Sequence, residues 1–158
     1  MAVLKKQTFG SITTILALVL AVIGLICYYV NIGSAGYFQD AVVAQANTLL
    51  ILSVVALVAV VVIAQLNLGA TVDKILDIVS GLLRIAAPAG LIGAAMQLIA
   101  SRAQGLAFIY FSNEEVLAEV QTAANLSSAS CAIATIALVA IASIVGIVAA
   151  FGSMKKAA

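Results

Sequence analysis

Residues 9–30 read FGSITTILALVLAVIGLICYYV, a run without a single charge that follows Lys5 and Lys6. The hydrocarbon core of a bilayer is roughly 30 Å thick, and an α-helix needs about 20 apolar residues to cross it. The run therefore predicts a membrane-spanning helix. A secretory leader would carry an apolar region of only about 7–15 residues, and GSAG at 33–36 is a poor cleavage site. Working outward, residues 41–66 form a second uncharged run, AVVAQANTLLILSVVALVAVVVIAQL, after a turn rich in Gly and small polar residues. A fourth apolar stretch runs from about 126 to 151, ahead of Lys155 and Lys156.

The third region mixes two patterns. In VDKILDIVSGLLR, Val72 to Arg84, the polar residues Asp73, Asp77, Ser80 and Arg84 recur every three or four positions, which is one face of a helix. This amphipathic segment either lies along the inner interface or forms the first turns of a long third helix. The apolar run that follows, 85–101, is short for a span, so a helix over 75–110 is the extended alternative. Arg84 and Arg102 at its ends can snorkel toward water, and Pro88 is a tolerable defect where neighbouring helices cover the freed carbonyl.

Composition agrees with four spans. Of 158 residues, 65% are hydrophobic and 8% charged, with one proline and no histidine or tryptophan; soluble domains carry about a quarter charged residues. The expected fold is all-α: a polytopic membrane protein whose four-helix transmembrane bundle occupies the chain as one membrane domain. Lys5, Lys6, Lys74, Arg84, Lys155 and Lys156 gather on one side of these spans, while Asp40, Glu114, Glu115 and Glu119 gather on the other with Arg102. The positive-inside rule then places both termini in the cytoplasm of a multi-pass plasma-membrane protein.

Aromatics repeat the asymmetry. Tyr28, Tyr29, Tyr37, Phe38, Phe108, Tyr110 and Phe111 fall at the outer boundary, against Phe9 and Phe151 at the inner one. They anchor the outer headgroups or form a surface for a partner. Beside them, Ser112, Asn113, Glu114 and Glu115 spell S-x-x-E, the capping box of a helix start. Val116, Leu117, Val120 and Ala124 supply an apolar face, so a short amphipathic outer helix is expected from Asn113 to about Ala124. Tyr37, Phe38, Tyr110, Phe111, Glu114, Glu115 and Glu119 are the candidate partner-binding residues.

Other signals are open. Tyr-Phe at 37–38 and at 110–111, each followed by acid, Gln, Ala-Asn and Leu, reads as a parallel repeat of two hairpins or as convergent interface chemistry. Small-xxx-small pairs (Ala89 with Gly93, Gly90 with Ala94, and Ala142, Gly146, Ala150) serve internal packing or self-association through the fourth span. Cys27 and Cys131 lie at similar depth and pair or merely pack. The Asn125–Ser127 sequon sits at the membrane edge and is discounted.

Absences narrow the chemistry. Without histidine there is no usual general base and no usual zinc ligand. The sequence has no Gly-rich phosphate loop and no nucleophile elbow. No EF-hand spacing organises the outer carboxylates. The chain is expected not to be an enzyme and to hold neither metal nor cofactor, and its near-neutral charge points away from nucleic acid.

The stretch SRAQGLAFIYFSNEEVLAEVQTAANLSSAS, 101–130, followed by an Ala-rich span, resembles a group of small four-helix membrane proteins of Gram-positive bacteria. The resemblance covers the third and fourth spans best and implies a bacterial plasma membrane and an accessory role near sugar-handling proteins. It carries over no binding residue. The leading expectation is an accessory or scaffolding subunit that meets another membrane protein, or itself, through its outer surface. The alternative is a small homo-oligomeric channel or transporter with Asp77, Arg84 and Arg102 lining the conduit.

Overall fold

Uncharged apolar runs in a chain with a single proline leave the backbone one way to satisfy its polar groups within a membrane, the α-helix. The computed structural model describes residues 8–66 and 70–153, and among these every regular element is helical. Helix α1 spans Phe9–Gly33, α2 Ala44–Gln65, α3 Ala70–Phe111, α4 Glu114–Val120 and α5 Ala123–Phe151. Four of them, all but α4, are long and apolar enough to cross a membrane. Lys5, Lys6, Lys155 and Lys156, which carry most of the expected charge bias, lie outside the described residues.

The spans run a few residues beyond or short of their expected limits. The largest difference is α3, where the amphipathic segment and the apolar run are one continuous helix of 42 residues with Pro88 inside it. At about 1.5 Å per residue it is roughly 63 Å long, twice the hydrocarbon thickness.

The four long helices pack in a ring. Helix α1 lies along α5, α5 along α3, α3 along α2, and α2 closes against α1. The α1–α5 seam is made of small side chains at alternating spacings of three and four: Thr14, Ala17, Ala21 and Gly24 on α1 meet Thr135, Val139, Ala142 and Gly146 on α5, all buried. Gly146 faces Pro88 on its other side, so a small residue makes room for the proline ring. Ala142 and Gly146 of the small-residue ladder are thus taken up by packing within the chain. Leu50, Leu57, Leu91 and Leu98 fill the centre of the ring, each 0–2% exposed.

Register is set at both ends. Gly10 and Gly152 sit so close that a Cβ on either would lie 2.6 Å from the other's backbone, and Thr8 Oγ1 donates to the carbonyl of Ser153. The first turn of α1 and the last of α5 therefore share one end of the bundle.

Candidate interaction surface

The other end, where α4 lies, is shaped by the segment between α1 and α2. Helix α1 stops at Gly33, and the chain reverses through Gly36 at φ 146° and Asp40 at φ 58°. Gly36 is required there twice over: its φ suits glycine, and a Cβ would meet Ser128 Cβ at 2.6 Å. The reversal drops the Phe38 ring into a small cluster with Ile109, Ala129 and Ala132. Gly105 on α3 makes room for it, since a Cβ would lie 2.6 Å from the rings of both Phe38 and Tyr37.

Arg102 reaches the same place from α3. Its guanidinium carbon stands 4.6 Å from the centre of the Phe38 ring, and Nη2 donates to the Ala41 carbonyl at 2.7 Å. The side chain is 4% exposed. Hydrogen bonding and ring stacking together offset the cost of burying this charge. Tyr28, 1% exposed, accepts from the backbone N–H of Val43 at 2.8 Å through its hydroxyl. That hydroxyl satisfies the backbone N–H of Val43, the N-cap residue of α2, whose own side chain makes no capping bond. Asn31 Nδ2 donates to the Ser128 carbonyl at 2.7 Å, and Ser128 Oγ accepts from Phe38 N–H at 3.2 Å. A buried polar knot from α1, the loop, α3 and α5 thus fixes this end.

The surface above the knot departs from expectation in two ways. First, Phe38 does not belong to it: at 3% exposure its ring is a core residue, drawn in by the cluster and by Arg102. Tyr28, expected in the boundary belt, is likewise inside. Second, α4 is capped by Asn113, not by a capping box on Ser112. Asn113 Oδ1 accepts from Val116 N–H at 2.9 Å, while the Ser112 hydroxyl donates back to the Phe108 carbonyl at 2.7 Å. Ser112 is still at the end of α3 and spends its hydroxyl there. The short helix also ends at Val120 instead of Ala124, because Thr122 starts α5 by accepting from Asn125 N–H at 3.2 Å.

Of the other candidate residues, Tyr37 is half exposed, its ring 5.2 Å from Phe38 and 5.9 Å from Phe108. Tyr110 is partly buried against the Phe38 cluster, and Phe111 is 85% exposed. Glu114, Glu115 and Glu119 are exposed on α4, none of whose residues is buried. Two side-chain amides tie the C-terminal end of α4 down: Gln121 donates to the Ile109 carbonyl at 3.1 Å and Asn125 to the Val120 carbonyl at 2.8 Å. Tyr37 lies in a loop and Tyr110 in the last turn of α3, so the two Tyr-Phe pairs occupy different structural positions.

The three conduit candidates share one face of α3 but not one place. Arg84 donates through Nη2 to the carbonyls of Ala149 and Gly152, the end of α5 that carries unpaired carbonyls and a partial negative charge. Its Nε is enclosed without a partner. Arg102 lies five turns away, about 27 Å along the helix. Asp77 is exposed, further out than Arg84. Between the two arginines stand Leu91 and Leu98 and the leucines of α2. Cys27 and Cys131 remain thiols, with Cys131 Sγ donating to the Cys27 carbonyl at 3.4 Å.

Sequence reasoning missed Tyr28, Asn31 and Ser128 as a buried knot. A signal was present in Asn31, an asparagine directly at the end of an apolar run, which needs partners near a membrane. Comparison with protein families, with curated proteins and with solved structures finds no match.

Proposed function

We propose that this chain is a non-enzymatic integral membrane protein, an accessory or scaffolding subunit of a membrane complex. It meets its partner through the surface at the α4 end. The observation that carries the reading is the company Phe111 keeps: an aromatic ring 85% exposed beside the exposed Glu114, Glu115 and Glu119, on a rim held rigid by the buried knot beneath. Exposed aromatic side chains ringed by charge suit a protein contact, where aromatics are enriched. With Phe38 withdrawn, the contact residues are Tyr37, Tyr110, Phe111 and the three glutamates. Apolar packing of Leu50, Leu57, Leu91 and Leu98 between Arg84 and Arg102 favours this class over a conduit within one chain. The outer face of a bacterial plasma membrane, with both termini inside, is the setting that the charge distribution and the resemblance support.

Purification from the native membrane in mild detergent tests the proposal. A second protein at fixed stoichiometry is expected. Changing Glu114, Glu115 and Glu119 together to Gln should release it, lowering recovery about tenfold, the equivalent of 1.4 kcal/mol. Full retention by the triple variant would overturn the assignment of the surface.

A further inference from the structure

Helix α3 is longer than the bundle that holds it. The end of α5 lies beside Arg84, which bonds its last carbonyls, and the start of α1 lies beside Gly152. Glycine 90 faces Leu49 and Ser53 of α2, a register that brings the end of α2 to about the level of Ile78. The distance from Arg84 to Arg102 is about 27 Å, close to one hydrocarbon thickness. Residues 70–77 of α3, about 12 Å at the helical rise, therefore run past the described parts of α1, α2 and α5, and residues 78–83 past those of α1 and α5. With the hydrocarbon layer taken to end at the level of Arg84, this part of α3 lies beyond it.

This overhang has its apolar side turned outward. Ser80 is buried, whereas Ile75, Ile78 and Leu82 are 59%, 67% and 64% exposed. A helix emerging into water normally shows the reverse. The apolar seam does not end at the membrane. It continues as Ile85, Ala89, Ile92, Met96 and Ile99, all exposed, so positions 75, 78, 82, 85, 89, 92, 96 and 99 follow spacings of three and four without a break. That is the a/d rhythm of a helix that lies along another helix. At the membrane half the seam borders an apolar groove of about 370 Å³ between α3 and α5, lined by Ile99, Ala103, Leu106, Ile133, Ile136 and Ala137.

We infer that α3 is a self-association helix, with a second copy of this chain lying parallel to the first, seam to seam. Lipid covers an exposed stripe only as far as the hydrocarbon reaches, so it does not account for Ile75, Ile78 and Leu82. The occupant must run about 36 Å, both through the membrane and past it, and another α3 does so by construction, with matching register. The seven large side chains offer an apolar area on the order of 800 Å² per copy, what a specific interface buries on each partner. Asp73 and Asp77 fall off the seam and bring no like charge across it. Ala89 on the seam and exposed Ala86 beside it permit close backbone approach within the membrane, and outside it burial of Ile75, Ile78 and Leu82 drives pairing. The ridge of Met96 and Ile99 on one copy stands opposite the groove of the other. The inference is independent of the α4 surface, which leaves that end free.

The test is disulfide cross-linking in native membranes, in a Cys27→Ala, Cys131→Ala background. Single variants Ile75→Cys, Ile78→Cys, Leu82→Cys and Ile85→Cys are oxidised alongside Leu76→Cys on the same helix and Val55→Cys on the exposed side of α2. Cross-linked dimer is expected at the four seam positions at five times the yield of Leu76→Cys and Val55→Cys or more. Single-molecule photobleaching of the labelled wild-type chain in vesicles should show two or more steps. Equal yields on and off the seam, or one-step bleaching, would overturn the inference and leave lipid or a different protein on this face.

Discussion

Arg102 is the residue on which the α4 end depends. Its Nη2 donates to a carbonyl while its guanidinium carbon stands over an aromatic face, a pair of contacts suited to a flat, delocalised cation. Lysine brings the charge but neither the fork nor the stacking plane. Arg102→Ala should therefore destabilise the folded chain by about 2–3 kcal/mol, the scale of a charge-assisted hydrogen bond with a desolvated ring contact, and Arg102→Lys should recover less than half of it. Unfolding in detergent micelles, followed by helical circular dichroism, measures both. A lysine variant as stable as the parent would show that charge alone, without the plane, holds the loop. Arg102 was legible in the sequence as a charge within reach of a span boundary. Its partner was not, because a phenylalanine at a boundary position looks the same whether it faces headgroups or the interior. Only the reversal at Gly36 and Asp40 turns Phe38 inward while leaving its neighbour Tyr37 half exposed.

At the scale of the element, the long uncharged runs were enough to locate four helices, since about 20 apolar residues have no other stable arrangement in a bilayer. The three-and-four spacing of Asp73, Asp77, Ser80 and Arg84 likewise foreshadowed the extension of α3. Which of two adjacent cap residues starts α4 was not legible. Serine and asparagine are equally good caps, and the choice fell to Asn113 because the Ser112 hydroxyl is already bonded to Phe108 one turn back. Asn113→Ala should therefore loosen α4 by about 1 kcal/mol, seen as roughly fivefold faster amide exchange at Val116, whereas Ser112→Ala should leave that rate unchanged. If Ser112→Ala speeds exchange and Asn113→Ala does not, the capping box is restored and the Glu115 carboxylate regains its place in it. The same loosening should weaken partner capture if the glutamates must be held in a fixed array.

For the molecule as a whole, the ring of helices closes where α1 meets α5, and that closure rests on small side chains. Gly24 stands against Val139, whose Cγ2 would lie 3.0 Å from an added Cβ; around Gly33, nine residues later on the same helix, nothing lies within 4 Å. The two glycines share residue type and helix but differ in what they touch, so they separate the requirement for close packing from glycine's own effect on a helix. Gly24→Leu forces the α1–α5 seam apart and should cost about 1–3 kcal/mol, the usual penalty for overfilling a packed interior. Gly33→Leu adds apolar surface facing outward and should be neutral or slightly stabilising, since glycine is the weaker helix former. Both are read from midpoints of unfolding in the same detergent. Equal destabilisation by the two would mean that the backbone freedom of glycine matters in α1 more than contact with α5. Destabilisation by Gly24→Leu alone would establish the seam as the joint that closes the ring, with α3 left free to extend beyond it.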